Sequence, residues 1–87
     1  MTPIQFKLAR RALGLAMGRE VSPWNRAFVG REDDDHPRWM DMVAKGWAQR
    51  KINVPQTSID LFWLTRAGAV QVLAKGERLC PLEFPDE

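Results

Sequence analysis

An 87-residue chain of 10.0 kDa holds one small domain, because a single core of this size is marginal but sufficient without staples. Its 45% hydrophobic and 28% charged residues place it away from the low-hydrophobicity, high-charge signature of disorder. A single cysteine, Cys80, excludes an intramolecular disulfide and a Cys-rich zinc site, and no apolar stretch nears the roughly 20 residues that span a bilayer.

The formal net charge of +2 conceals an uneven distribution. From Met1 to Arg31 six basic residues (Lys7, Arg10, Arg11, Arg19, Arg26, Arg31) oppose Glu20 alone, leaving +5. Residues 32 to 41 reverse this: Glu32, Asp33, Asp34, Asp35 and Asp41 oppose Arg38, leaving −4. The remainder carries +1. Charge runs of this kind are solvated faces first and recognition surfaces second.

In chain order, Thr2-Pro3-Ile4-Gln5 predicts a helix start, with Thr2 as cap, Pro3 at the first helical position and Gln5 completing a capping box. The helix is expected over 1–18: Ile4, Leu8, Ala12 and Leu15, joined by Leu13 and Ala16, form its packing face, and Gly18 stops it. Residues 19–34, punctuated by Pro23 and Gly30, read as a connection with a short strand at Arg26-Ala27-Phe28-Val29. A second helix is expected over 35–46, with Asp35 as N-cap, Pro37 in the first turn, and the neighbouring acids facing the positive end of the helix dipole. Trp39, Met40, Val43, Ala44 and Trp47 trace its apolar stripe, which reads as core. Residues 47–64 alternate as two strands around the polar stretch 53–58 and predict a hairpin. Thr65 caps a third helix expected over 65–76, with Ala67, Val70, Leu73 and Ala74 buried and Gly76 as the stop. The proline-interrupted tail 77–87 is apolar enough to dock on the body.

From Asp35 to Lys75 the order is helix, Lys45-Gly46 turn, strand, polar loop, strand, Leu64-Thr65-Arg66-Ala67-Gly68 step, helix. This resembles the second half of a winged-helix domain of the MarR type, where a Lys-Gly turn ends the recognition helix, a hairpin forms the wing and a Leu-Thr-x-x-Gly step leads into the next helix. The resemblance covers about 40 of the 87 residues and implies an α+β, winged-helix-like domain of three helices with a β-hairpin wing. The segment Phe6 to Leu15 is also similar to the first helix of phage repressor-type helix-turn-helix domains. There the match ends, since Arg19-Glu20-Val21-Ser22-Pro23-Trp24 cannot continue as a regular second helix through Pro23. Taken whole, the short length, the opening Thr2-Pro3-x-Gln5-Phe6 and the Phe62-Trp63-Leu64-Thr65-Arg66-Ala67-Gly68 step resemble small phage and prophage proteins. The lone cysteine suits a reducing cytosol, that of the host cell where the chain is phage-encoded. The Met1-Thr2-Pro3-Ile4 start lacks the layout of a signal peptide.

Catalytic constellations are missing from the sequence. His36 sits beside Pro37 at a helix start, and Cys80 is followed directly by Pro81 with no evident general base. Glu32-Asp33-Asp34-Asp35-His36 gathers ligand atoms, but without the spacing or the turn glycine of a calcium loop. The expectation is a non-enzymatic protein with no metal and no cofactor, acting by binding. The favoured reading is a module that grips a host protein complex, an inhibitor or adaptor of the anti-CRISPR kind. Glu32, Asp33, Asp34 and Asp35 supply its charge, and Trp24, Phe28 and Met42 its anchors. The alternative is a winged-helix DNA-binding regulator. Here Arg38, Lys45, Arg50 and Lys51 sit on the recognition helix and wing, while Lys7, Arg10 and Arg11 touch phosphates. Four acids at the start of that helix oppose the counterion-release term on which duplex affinity rests, so the protein partner ranks first.

Overall fold

A computed structural model describes residues 1–15, 21–22, 24–52, 58–79 and 84, Ile52 through its backbone only. Helix α1 spans Pro3–Ala12 and begins with a complete capping box: Thr2 Oγ1 accepts from the Gln5 backbone N–H at 3.1 Å, and Gln5 Oε1 accepts from the Thr2 N–H at 3.0 Å. It stops at Gly14, which takes φ 75°, a left-handed conformation that glycine adopts without steric cost. The helix is therefore shorter than the 1–18 expected, and Gly18 lies outside the described residues. Its buried face is Gln5, Ala9 and Ala12, continued by Leu13, while Ile4 is exposed. The face turns by one residue from the expected Ile4-Leu8-Ala12 stripe because Gln5 is drawn inward: its Nε2 donates to the Arg38 carbonyl and to Asp41 Oδ2.

The sheet is three-stranded and antiparallel, in the order β1-β3-β2, with β1 at Ala27–Gly30, β2 at Ala48–Ile52 and β3 at Ile59–Leu64. β2 and β3 form the expected hairpin, pairing Ala48 with Leu64 through to Ile52 with Asp60; its loop, 53–57, lies outside the described residues. β1 pairs Ala27 with Phe62 through to Gly30 with Ile59. Asn25 extends that ladder with its side chain, donating to the Leu64 carbonyl at 2.9 Å and accepting from the Leu64 N–H at 2.8 Å.

Between β1 and β2 lies α2, Asp35–Ala44, ending in the Lys45-Gly46 turn. Asp34, not Asp35, occupies its N-cap position, and its side chain makes no cap bond. The nearby satisfied donor is the Asp35 N–H, taken by Asp33 Oδ1 at 2.8 Å. α2 lays Trp39 on Phe62, stacked with centroids 5.4 Å apart, and buries Met42 completely. Met42 is thus a core residue and not an exposed anchor, whereas Ala44, expected in the stripe, is exposed.

The third helix departs most from expectation. α3 spans only Arg66–Ala69 and passes into a 3-10 turn, Val70–Val72, before Leu73 turns extended. Gly68 and Ala69, then Val72, are buried; Ala67, Val70 and Ala74 are exposed, so the face is again offset from the predicted one. Close packing on the Trp47 backbone, just before β2, fixes the rotation. A Cβ at Gly68 would stand 2.0 Å from the Trp47 carbonyl oxygen, and Thr65 bonds the same turn through its N–H to Trp47 O and its hydroxyl to Gly46 O. Beyond it, Phe84 is buried and its carbonyl accepts from Arg66 at 2.7 Å, while Cys80 and residues 81–83 and 85–87 lie outside the described residues.

The result is a small α+β unit: a core of Leu13, Leu15, Val29, Trp39, Met42, Phe62, Leu64 and Val72 between the helices and one face of the sheet. Alternation along the strands turns Ala27, Val29, Ala48, Phe62 and Leu64 inward, and Phe28, Gln49, Lys51, Ile59, Leu61 and Trp63 outward. Among the described residues no helix is long and apolar enough to cross a membrane.

Candidate interaction surfaces

One inward position of β3 breaks the apolar alternation. Asp60 has no exposed surface, yet it is ionised, because three cationic or hydrogen-bonding groups converge on it from three elements. Arg31, just past β1, places Nε 3.1 Å from Oδ1; Arg50 on β2 donates through Nε at 2.8 Å to Oδ2; His36 in the first turn of α2 sets Nε2 at 2.9 Å from Oδ2. The His36 hydrogen bond, then those of Arg50 and Arg31, hold the Asp60 carboxyl at about 2 against the opposing effect of burial. His36 also stands edge-on to Phe62 at 5.5 Å. Each partner is individually unremarkable in the sequence; a charged residue at an inward position of a β-rich run was the available signal for this hub.

Arg10 builds a second tie. It donates to both carboxylate oxygens of Glu77, at 2.6 and 2.7 Å, and to the Val72 carbonyl at 2.7 Å, fastening α1 to the end of the 3-10 turn. Glu77 in turn accepts from the Ala74 N–H, and these bonds, that of Arg10 foremost, hold its carboxyl at about 2. On α2, Arg38 pairs with Asp35 and Lys45 with Asp41, and Lys45 also lies 5.2 Å over the Trp47 ring. The Asp41 carboxyl is lowered by its bonds from Gln5 and Lys45.

These ties sort the residues singled out by the sequence. Of the basic set, Arg10, Arg38, Lys45 and Arg50 are engaged in ion pairs within the chain. Lys7 and Arg11 remain on the exposed side of α1, where they flank a groove of about 410 Å³ with Ile4, Leu8 and Arg10. Lys51 projects from the outer face of β2. Of the acidic set, Asp35 is paired, whereas Glu32, Asp33 and Asp34 are exposed and make no ion pair among the described residues. Phe28 is 60% exposed, and Trp24 is half-buried. Phe28 and Asp33 share a cleft of about 280 Å³ with Leu8, Arg11, Arg26 and Trp39, along the free edge of β1. Among the described residues no three His, Cys, Asp or Glu side chains converge as metal ligands.

No family model, curated protein or solved structure matches this chain.

Proposed function

We propose that the chain is a non-enzymatic binding module of the small phage-protein type, which grips a host protein complex through the acidic segment Glu32-Asp33-Asp34 with Phe28 as its apolar neighbour. One observation carries this reading. Among the described residues the other four carboxylates, Asp35, Asp41, Asp60 and Glu77, all have cationic partners within the chain, and the three without one are consecutive. Unpaired charge beside a large exposed apolar side chain suits a protein interface, where charge steers encounter and the aromatic anchors it. An inhibitor or adaptor, anti-CRISPR-like in its manner of action, is the form this takes.

The second reading, a winged-helix DNA binder, is favoured by the order of α2, Lys45-Gly46 turn, hairpin and Thr65-capped α3. Against it, the two cations of α2 are consumed by Asp35 and Asp41, so the element meant to enter the groove brings no free positive charge.

Affinity capture from host lysate tests the choice. Wild type retains a defined partner that Asp33→Lys, Asp34→Lys loses; an unchanged partner list removes the acidic segment from the interface. A gel shift with generic duplex that weakens steeply with salt and is abolished by charge reversal at Lys51 and Arg11 supports the DNA reading instead.

A further inference from the structure

The outer face of the sheet has a composition that the core does not explain. Three cross-strand rows cover it, that of Gly30 and Ile59 at one end. Phe28, Leu61 and Lys51 form the second, fixed by the pairing of Phe28 with Leu61 and of Lys51 with Leu61. Trp63 and Gln49 are paired in the next, with Arg26 beside them one residue before β1. Phe28, Arg26, Gln49 and Lys51 are exposed, Trp63 and Leu61 are half-buried, and neither Trp63 nor Leu61 packs against the core cluster. Arg26 and Lys51 make no ion pair among the described residues, and the described positions of this face include no carboxylate. The acids Glu32 to Asp34 follow the opposite end of the face, past the row of Gly30 and Ile59. The face itself thus carries the two aromatics with Arg26 and Lys51, and Asp33 meets Phe28 and Arg26 in the cleft along the β1 edge.

We infer that this outer face is a platform for single-stranded nucleic acid, with bases stacking on Phe28 and Trp63 and phosphates held by Arg26 and Lys51. The two aromatics are diagonal neighbours on adjacent strands, roughly 7–8 Å apart, and so offer two adjoining stacking positions. Every base has a face to stack, and a cation within reach of each aromatic supplies the sequence-independent attraction to phosphate. A duplex hides its base faces and gains nothing from Phe28 and Trp63. The inference goes beyond the protein-binding reading: it shares Phe28 with that reading but uses Trp63, Arg26 and Lys51 in place of Glu32, Asp33 and Asp34.

Fluorescence anisotropy with labelled 12-mers of oligo(dT) and oligo(U) at low salt tests it, alongside an abasic 12-mer and a duplex of equal length. Both single strands bind, the abasic strand and the duplex bind at least about fivefold more weakly, and Phe28→Ala costs a similar factor or more, the range set by one base stack. Phe28→Trp retains affinity. Lys51→Gln lowers the slope of log affinity against log salt by about 0.7, as loss of one phosphate contact requires. Trp63→Phe keeps binding but removes most of the quenching of intrinsic tryptophan emission. Asp33→Lys, Asp34→Lys binds the strands no more weakly than wild type, which separates this test from that of the acidic segment. Failure of both single strands to bind, equal binding of the abasic strand or duplex, or an unchanged affinity in Phe28→Ala overturns the inference. So does a face whose substitutions abolish only capture of a protein. Circular dichroism of the Phe28 and Lys51 variants confirms folding, since both side chains are exposed.

Discussion

Asp60 sits inside a β-strand core where an unpaired carboxylate would be strongly disfavoured, and its three partners come from three different segments of the chain. Its charge therefore ties the start of α2 and both edges of the sheet to one atom pair. Asp60 and Glu77 are both held at about 2, below the usual carboxylate range, so the folded state favours their ionised forms more than the unfolded chain does. That stability is fully present above about pH 4–5, where the unfolded carboxylates are also ionised, and is lost as pH falls toward 2. Urea midpoints measured from pH 7 to 2 should accordingly stay level to about pH 5 and then drop. Glu77→Gln, which keeps an acceptor for Arg10 but no charge, should be less stable than wild type at pH 7 and show a shallower acid decline. The inward place of Asp60 in a β-rich run marks it as a charge in need of partners, but residue spacing does not show that positions 31, 36 and 50 meet there.

At the level of elements, existence and order were legible, and rotation about the helix axis was not. The capping signal at Thr2-Pro3-x-Gln5 is realised in full, and Thr2→Ala should cost about 1 kcal/mol in urea denaturation. The same Gln5 turns α1 away from its most apolar stripe, because a buried amide bonded to Arg38 and Asp41 determines which face points inward. α3 repeats the lesson. Apolar periodicity favoured Val70 and Ala74, but the contact between Gly68 and the Trp47 carbonyl sets the rotation and leaves Val70 50% exposed. Gly68→Ala should destabilise by at least the roughly 1–3 kcal/mol of ordinary overpacking, since the obstructing atom is backbone, whereas Ala67→Gly on the exposed side should cost no more than about 1 kcal/mol. Comparing their urea midpoints checks the assignment. Met42 went to the core for a related reason: α2 packs Trp39 and Met42, three residues apart, on the sheet, a face the sequence stripe through Trp39, Val43 and Trp47 only partly overlaps.

For the molecule as a whole, the folded ion pairs reduce a dense charge pattern to a few unspent groups. The basic first third and acidic helix start were visible in the sequence, but which charges would be neutralised required the fold: Arg10 goes to Glu77, Arg50 to Asp60, Arg38 to Asp35. What is left among the described residues is an acidic run at Glu32, Asp33 and Asp34 and cationic groups at Lys7, Arg11, Arg26, Lys51, Lys75 and Arg78, with Arg11 and Arg26 meeting Asp33 in the cleft along the β1 edge. These uncommitted charges underlie the proposal that the chain works by binding. The most direct measurement is affinity capture from host lysate with wild type, Asp33→Lys, Asp34→Lys and, as a charge control on another face, Lys75→Glu. The account predicts one partner retained by wild type and Lys75→Glu and lost with Asp33→Lys, Asp34→Lys. Retention of that partner by all three would contradict it.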